Sequence, residues 1–240
     1  MKRLLMLDYD GTLTPIRKHP KLAVLSPKRR YFLRQLAGRP GNKLAIISGR
    51  KLSDIKRLVG IKNIIYVGNH GFEIEAGGKY WIHPAAKRFS LLLKKIKRAL
   101  KNGLSYRQIF IEDKGLTLSV HYRCLAGKRL PAFKKAFFRA VKPWQDRLML
   151  THGKKVFELR PPVDWDKGKA VNWLIGRPGQ KDYFPVYIGD DRTDEDAFRA
   201  LKGKGLALKV GPGGKTLAAK RLRDVAAVYR FLLYLSVGRC

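Results

Sequence analysis

Short apolar segments, each about the length of one buried strand, alternate with helix-like segments near both ends of this 240-residue chain. Residues 4–7, 44–47 and 64–67 form such segments near the N-terminus, and 186–188 and 206–210 form them near the C-terminus. Apolar strands that alternate with helices are typical of parallel β-α-β units. The pattern therefore predicts an α/β fold with a Rossmann-like core built on a parallel sheet.

The pattern changes in the middle of the chain, between residues 79 and 161. A helix followed by two strands occurs there twice, which predicts a small α/β layer with an antiparallel sheet. This stretch holds 21 Lys and Arg against four Asp and Glu, about twice the positive charge density of the rest of the chain. We therefore predict a core formed by residues 1–78 and 162–240, with residues 79–161 inserted as a cap domain.

Polar residues follow directly after four of the predicted strands. They are Asp8 and Asp10, Ser48-Gly49-Arg50, Asn69-His70-Gly71, and Asp190-Asp191. Open parallel sheets bind ligands at the carboxyl ends of their strands, and these ends lie along one edge. We therefore expect the four clusters to converge on a single site.

The first of these clusters indicates a metal ion. Asp8 and Asp10 are two residues apart, so their side chains point the same way if the strand continues. Two carboxylates this close repel each other, which favours a cation beside them, and Mg²⁺ prefers oxygen ligands and phosphate substrates. An ordinary Asp-Gly turn after a strand is the alternative. The second acidic strand end, at Asp190, favours the metal site.

These motifs resemble those of a known superfamily. Residues 8–14, Ser48-Gly49-Arg50, a later Lys and Gly189-Asp190-Asp191 resemble the haloacid dehalogenase superfamily of phosphotransferases. Longer segments narrow the resemblance to the trehalose-6-phosphate phosphatases, over nearly the whole chain. Those segments are Gly68–Glu73, Trp165–Ala170 and Gly189–Phe198. The resemblance implies a cofactor, Mg²⁺, and a substrate, trehalose 6-phosphate, that is hydrolysed to trehalose and phosphate.

The resemblance also implies a role for each acidic core residue. Asp8 would be the nucleophile and form an aspartyl-phosphate. Asp10 would protonate the leaving sugar oxygen and then take a proton from the attacking water. Asp8, the backbone carbonyl of Asp10 and Asp190 would hold Mg²⁺. Asp191 or Asp194 would hold the water ligands of the metal or orient the lysine that binds phosphate.

Other core residues would contact the substrate. Ser48 and Lys167 would bind the phosphate and stabilise its charge during transfer. Lys169, two residues further on, is the competing candidate for the phosphate-binding lysine. We expect His70 to contact the sugar rather than to take part in catalysis. The remaining residues expected at the substrate are Gly49, Arg50, Asn69 and Gly71.

The inserted domain would determine which sugar is accepted. Residues that match the sugar-contact pattern of the family are Glu112, Lys114, Arg123, Lys154 and Glu158. Charged side chains form strong hydrogen bonds with hydroxyl groups. Glu112 and Glu158 are also two of the four acids in the insert, so a generally basic surface does not account for them. Sucrose phosphate and mannosyl-phosphoglycerate stay open as alternative substrates.

The net charge of +34 is the feature that the enzyme interpretation explains least. A polyanion-binding protein on the same scaffold would account for it. However, the charge is spread along the whole chain, and there is no long basic run or nucleic-acid-binding motif. We therefore favour a solvated basic surface, with nucleic-acid binding as the alternative.

Cysteine content and hydrophobicity indicate where the protein acts. Cys124 and Cys240 are the only cysteines and lack metal-ligand spacing, which favours a reducing, cytoplasmic environment. The apolar stretch after Met1-Lys2-Arg3 is too short for a signal-peptide core, and the apolar residues 225–237 fall short of a membrane span. We expect a monomer without membrane association, and a trehalose-phosphate synthase is the protein partner that we consider.

Overall fold

The computed structural model describes residues 1–17, 19–153 and 155–237. The chain divides into two compact units, one formed by Met1–Trp81 with Trp165–Cys240 and the other by Ile82–Asp164. The inserted unit thus begins at residue 82 and ends at residue 164, where the sequence indicated residues 79 and 161. Cys240 and Lys154 lie outside the described residues.

Twelve strands and seven helices are found in the described ranges. The strands are β1 (Arg3–Asp8), β2 (Asn42–Ile47), β3 (Ile65–Gly68), β4 (Glu73–Ala76), β5 (Lys79–Ile82), β6 (Phe110–Asp113), β7 (Leu118–His121), β8 (Met149–Gly153), β9 (Val156–Arg160), β10 (Phe184–Gly189), β11 (Leu206–Val210) and β12 (Lys220–Leu222). The helices are α1 (Pro27–Gly38), α2 (Leu52–Val59), α3 (Pro84–Gly103), α4 (Leu130–Val141), α5 (Lys167–Ile175), α6 (Asp194–Leu201) and α7 (Val225–Val237).

One eight-stranded sheet forms the centre of the first unit, in the order β12-β11-β10-β1-β2-β3-β4-β5. The strands from β12 to β3 pair in parallel, and β4 runs antiparallel to β3. In β1, near the middle of this sheet, Leu5 and Leu7 face one hydrophobic core, while Leu4 and Met6 face a second core. This explains why residues 4–7 of the strand are all apolar, and the predicted parallel core is confirmed.

Local sequence signals set the ends of several helices. The side chain of Ser26 accepts a hydrogen bond from the backbone of Arg29 at the start of α1, as expected of a helix N-cap. The side chain of Asp166 does the same for Lys169 at the start of α5. The last helix, α7, is apolar along most of its length. Within the described ranges, no helix is both long enough and apolar enough to span a lipid bilayer.

The inserted unit has the predicted order, a helix followed by two strands, twice. Its four strands form an antiparallel sheet in the order β6-β7-β9-β8. Val120 and Phe157 are paired across this sheet and belong to a core that also contains Phe133 and Phe137. Since successive residues of a strand point to opposite faces, the neighbouring positions Ser119 and Glu158 lie on the other face. The predicted inserted α/β fold is confirmed.

Candidate active site

Three charged residues from distant parts of the sequence meet at the end of β1. Asp8 is the last residue of that strand, and its Oδ1 lies 2.8 Å from Nζ of Lys167. The same Nζ lies 2.7 Å from Oδ1 of Asp194. All three residues are buried, with side-chain exposures of 7% for Asp8, 3% for Lys167 and 0% for Asp194. The ammonium group therefore lies between two carboxylates that water scarcely reaches.

The start of α5 determines which of the two candidate lysines enters this cluster. Asp166 caps the helix, so Lys167 is its first residue and is buried, whereas Lys169 is exposed. The backbone of Lys169 is bound to the Asp166 carboxylate at 2.8 Å. Lys167 is thus the lysine placed at the two carboxylates.

Asp194 is held by more than its lysine. The hydroxyl of Tyr187, in β10, donates a hydrogen bond to Oδ1 of Asp194 at 2.7 Å. The backbone N–H of Asp191 donates to Oδ2 at 2.8 Å. Asp194 and not Asp191 therefore supplies the side chain that orients Lys167, while Asp191 contributes its backbone. Asp191 also accepts a hydrogen bond from Lys209 through its carbonyl, at 3.0 Å.

Burial and neighbouring charges shift the pKa of each member of this cluster. Burial raises the pKa of Asp8 well above its usual value, and Asp194 and Asp190 raise it further against the opposing effect of Lys167. Burial acts to lower the pKa of Lys167, but Asp194 and Asp8 outweigh it and hold that pKa well above its usual value. Burial also disfavours charged Asp194, yet Lys167 and the hydrogen bonds hold its pKa below the usual value. Of the two carboxylates beside Lys167, Asp8 is thus the one whose pKa is raised.

A further carboxylate completes a set of oxygen donors. Oxygen atoms of Asp8, Asp190 and Asp194 all lie within 4.8 Å of one another. Gly11 makes this approach possible, because a Cβ atom at this position would overlap the carboxylate of Asp190. Hard carboxylate oxygens with excess negative charge fit Mg²⁺. Asp8 and Asp190 can supply ligands directly, whereas Asp194 is already engaged with Lys167.

Asp10 lies beside this cluster and is held by Arg50. Nε and Nη2 of Arg50 each lie 2.6 Å from one of the Asp10 carboxylate oxygens, which is the paired geometry that a guanidinium group favours. Nη2 also donates to the carbonyl of Pro20 at 2.8 Å. Arg50, which was expected at the substrate, thus orients Asp10. The Asp10 side chain keeps 39% of its surface exposed.

The loop after β2 and the turn after β3 pack together. The backbone N–H of Asn69 donates to the carbonyl of Arg50 at 2.7 Å, and that of His70 donates to the carbonyl of Ser48 at 3.1 Å. The hydroxyl of Ser48 accepts from the backbone of Arg50 at 3.2 Å. The imidazole of His70 lies on Gly49, where any Cβ would overlap it. Two of the four polar clusters named from the sequence, residues 48–50 and 69–71, are thus in direct contact.

In the inserted unit, two of the predicted sugar-contacting residues form a buried pair. Nζ of Lys114 lies 3.0 Å from Oε1 of Glu158, and both residues are buried. The hydroxyl of Ser119 donates to the same oxygen at 2.6 Å. A carboxylate on the polar face of this sheet is therefore fixed by two neighbours.

The other predicted sugar-contacting residues are placed differently. Glu112 is partly buried, and its Oε2 lies 2.8 Å from Nε2 of His121. Glu112 is also paired in register with Ser119, which connects it to the Lys114–Glu158 pair. Arg123 is exposed, just beyond the end of β7. Lys154 lies outside the described residues.

Comparison with known proteins agrees with this geometry. The family model described as Trehalose-phosphatase matches residues 6–220. This chain belongs to the trehalose-phosphatase family. The family resemblance inferred from the motifs is thereby confirmed, and the family is one of phosphoric monoester hydrolases.

Individual trehalose-phosphatases resemble the chain along most of its length. It is 36% identical over 244 residues to "Probable trehalose-phosphate phosphatase 4" of Oryza sativa subsp. japonica. That match covers 98% of this chain and 66% of the rice protein. It is 36% identical over 249 residues to "Trehalose 6-phosphate phosphatase RA3" of Zea mays, which covers 95% of this chain and 68% of the maize protein. The chain thus spans about two thirds of the length of these plant relatives.

A solved structure is similar over almost its whole length. The C-terminal domain of trehalose-6-phosphate phosphatase from C. albicans matches with a TM-score of 0.83 and 28% identity. The match covers 99% of this chain and 93% of that domain. The shared architecture therefore includes both the parallel core and the inserted unit of this trehalose-phosphatase family member.

Tyr187 is a site residue that the sequence reasoning missed. A signal was present, because a tyrosine stands in an apolar strand two residues before Gly189-Asp190-Asp191. A hydroxyl group in such a strand needs a hydrogen-bonding partner once it is buried. Its partner, Asp194, lies seven residues further along the chain, beyond the end of the strand.

We predict that Tyr187→Phe keeps the fold but lowers both stability and turnover. Asp194 loses one of the bonds that fix it, and a hydrogen bond to a charged group contributes about 1.5–3 kcal/mol. Displacement of Lys167 should reduce turnover by up to about 10²-fold. The free energy of unfolding and the rate of phosphate release would be measured on the same preparations.

Tyr66→Phe is the matched control. Tyr66 is also buried, and its hydroxyl donates to the carbonyl of Ile61 at 2.7 Å and accepts from the backbone N–H of Ile61 at 3.2 Å. This variant should lose about 0.5–1.5 kcal/mol of stability for each of these bonds between neutral groups and should keep its turnover. Equal losses of turnover in both variants would show that Tyr187 acts through general stability alone.

Proposed function

We propose that the protein is a Mg²⁺-dependent phosphatase that hydrolyses trehalose 6-phosphate to trehalose and phosphate. The observation that carries the proposal is the buried cluster of Asp8, Lys167 and Asp194, with Asp190 beside it, in a member of the trehalose-phosphatase family. The cluster presents one carboxylate whose charge is poorly stabilised and one cation fixed next to it. Both features suit attack on a phosphate ester.

The reaction would proceed in two displacement steps. In the first, an oxygen of Asp8 forms a bond to phosphorus, the bond from phosphorus to the sugar oxygen breaks, and that oxygen takes a proton from Asp10. In the second, water attacks the aspartyl-phosphate, Asp10 accepts the proton of the water, and phosphate leaves as Asp8 is restored. Each proton that Asp10 donates is thus recovered in the same cycle.

The fixed charges in the site would support both steps. Lys167 places a positive charge 2.8 Å from Oδ1 of Asp8, next to the position where negative charge would gather on the transferring group. Asp194 holds the lysine in place and Tyr187 holds Asp194, so no reorganisation would be needed during transfer. When bound by Asp8, Asp190 and the backbone carbonyl of Asp10, Mg²⁺ would supply further positive charge for the phosphoryl oxygens.

The geometry of Asp10 suits a residue that exchanges protons with substrate and water. Arg50 fixes the orientation of its carboxylate through two bonds of 2.6 Å. More than a third of the side chain is still exposed, so a sugar oxygen or a water molecule can reach it. Arg50 would thus position Asp10 in both steps.

The inserted unit would select the sugar. Lys114, Ser119 and Glu158 form a fixed polar group on its sheet, with Glu112 paired next to Ser119. Such a group would hydrogen-bond sugar hydroxyls and would reject a sugar that leaves its charges unpaired. Phosphatases for sucrose phosphate and mannosyl-phosphoglycerate remain the alternatives, and a panel of sugar phosphates distinguishes them by released phosphate.

We also propose that the enzyme acts as a monomer in the cytoplasm. The free, exposed thiol of Cys124 supports a reducing compartment. Light scattering of the purified protein, alone and with a trehalose-phosphate synthase, tests both the monomer and that partner.

The first test of the proposed function is phosphate release from trehalose 6-phosphate by the wild-type protein and by Asp8→Asn. The amide is nearly the same shape as the carboxylate but a poor nucleophile, so we expect turnover to fall by more than about 10²-fold. Asp182→Asn is the control, because its carboxylate is 78% exposed on the surface of the same unit. Substantial turnover in Asp8→Asn would exclude Asp8 as the nucleophile.

The second test concerns the metal. Chelation with EDTA should stop the reaction and added Mg²⁺ should restore it, because Asp8 and Asp190 then regain a shared cation. Asp190→Ala should raise the Mg²⁺ concentration needed for half-maximal activity and weaken Mn²⁺ binding measured by electron paramagnetic resonance. If Asp190→Ala bound Mn²⁺ as well as the wild type does, the acidic loop would not be the metal site.

The third test concerns selectivity. Glu158→Gln removes a charge without changing the size of the side chain, so we expect kcat/KM for trehalose 6-phosphate to fall by about 10- to 150-fold, the equivalent of about 1.5–3 kcal/mol. Activity on p-nitrophenyl phosphate should fall less, because this small ester makes no sugar contacts. Asp113→Asn, in the same sheet and paired with Lys97 near the surface, is the control. A proportional fall on both substrates would assign Glu158 to the fold.

A further inference from the structure

Glu73 is a buried carboxylate that the proposed reaction does not use. It is the first residue of β4 and is 6% exposed. Its Oε2 accepts hydrogen bonds from the backbone N–H of Leu52 at 2.9 Å and from Nδ2 of Asn69 at 2.6 Å. Its Oε1 accepts from the hydroxyl of Tyr80 at 2.9 Å. These three donors are neutral and come from three separate segments of the chain. The carboxylate is therefore held by hydrogen bonds and not by an ion pair.

The first of these bonds completes the start of α2. The residue at the N-cap position of that helix, Lys51, makes no capping bond with its side chain. The first N–H groups of a helix have no partner within the helix, and a negative charge is favourable there. Glu73 supplies that charge from another strand. It thereby fixes the chain immediately after the loop Ser48–Arg50.

The second bond restrains a strained turn. Asn69, His70 and Gly71 all have positive φ angles, of 48°, 57° and 107°. Residues other than glycine are disfavoured in this left-handed region, so the surroundings must hold them there. The Glu73 carboxylate holds the side chain of Asn69. The indole N–H of Trp165 holds the other end of the turn through the carbonyl of Gly71, at 2.9 Å.

The turn and the loop in turn meet at the candidate active site. His70 lies against Gly49, and the backbone of Asn69 and His70 binds the carbonyls of Arg50 and Ser48. Arg50 orients Asp10. A shift of the turn by a fraction of an ångström would therefore move the groups expected to bind phosphate and sugar.

From these contacts we infer that Glu73 is a positioning residue for substrate binding. Its carboxylate couples the start of α2 to Asn69 and so sets the relative position of the loop Ser48–Arg50 and the turn Asn69–Gly71. Glu73 acts through these segments and does not touch the reacting atoms. The kinetic part of this inference rests on the proposed function, whereas its structural part does not.

Two substitutions at Glu73 separate its hydrogen bonds from its charge. Glu73→Ala leaves the N–H of Leu52 and the amide of Asn69 without their acceptor. Glu73→Gln retains a carbonyl oxygen for both, with its amide group directed at the Tyr80 hydroxyl. Glu75 provides the matched control, because it lies in the same strand and pairs with Lys56 at 2.6 Å. Its variants, Glu75→Ala and Glu75→Gln, leave the loop and the turn untouched.

We expect Glu73→Ala to raise KM for trehalose 6-phosphate and to lower kcat/KM by about 10²-fold, as for a displacement of about 1 Å in a site. Glu73→Gln should recover most of this loss, and both Glu75 variants should match the wild type. A double-mutant cycle with Asn69→Ala should give a combined loss well below the product of the two single losses, because both changes break the same contact.

Amide hydrogen exchange gives a readout that needs no substrate. Exchange at residues 48–52 and 69–71 should be faster in Glu73→Ala than in Glu75→Ala, while exchange in β10 stays the same. If the wild-type protein does not hydrolyse trehalose 6-phosphate, the proposed function is rejected. Faster exchange in Glu73→Ala would still support the structural part of the inference in that case. Unchanged exchange in the two segments, or unchanged KM and kcat in Glu73→Ala, would overturn the inference. If Glu73→Ala fails to fold, Asn69→Ala breaks the same contact from the other side. Faster exchange at residues 48–52 in that variant supports the inference, and unchanged exchange there overturns it.

Discussion

The arrangement of the whole site depends on the charge balance among Asp8, Lys167 and Asp194. Removing a single ion from water is costly, and a buried charge persists only when it is paired and its remaining hydrogen bonds are satisfied. One ammonium group here serves two carboxylates, and Tyr187 and the backbone of Asp191 supply the remaining bonds to Asp194. The cluster keeps an excess of negative charge at Asp8 and Asp190. That excess suits a divalent cation, which together with Lys167 would supply the positive charge that an anionic phosphate ester requires.

The parallel sheet makes this balance possible. The central strand β1 is apolar on both faces and lies between β2 and β10, so its position is fixed along its whole length. Asp8 follows immediately, at the point where the strand leaves the core. The neighbouring strands end beside it and deliver Ser48 and Asp190. A rigid framework thus holds groups that repel one another in the absence of a cation.

The few acids of this basic chain are concentrated where the structure needs a fixed negative charge. Of 18 Asp and Glu, four are buried, namely Asp8, Glu73, Glu158 and Asp194. Glu73, Glu158 and Asp194 each bond to at least two other groups, and Asp8 bonds to Lys167. Most of the 52 Lys and Arg are by contrast exposed or partly exposed. The large positive charge therefore belongs mainly to the solvated surface and the buried acids to the polar sites.

The sequence by itself determined the elements and the residues that could carry the chemistry. Apolar runs of strand length, the caps at Ser26 and Asp166, and the repeated helix-strand-strand order in the insert are local signals, because they depend on neighbours a few residues away. The carboxylates at strand ends followed from the same reasoning, since the carboxyl ends of parallel strands lie along one edge of the sheet.

Only the tertiary structure decided which side chains form hydrogen bonds and ion pairs with each other. Lys167 reaches Asp8 across 159 positions, Arg50 reaches Asp10 across 40, and Glu73 reaches the start of α2 across 21. The periodicity of a sequence predicts which face of an element a side chain occupies. Hydrogen bonds and ion pairs form only within a few ångströms, so they depend on where packing brings the ends of distant elements.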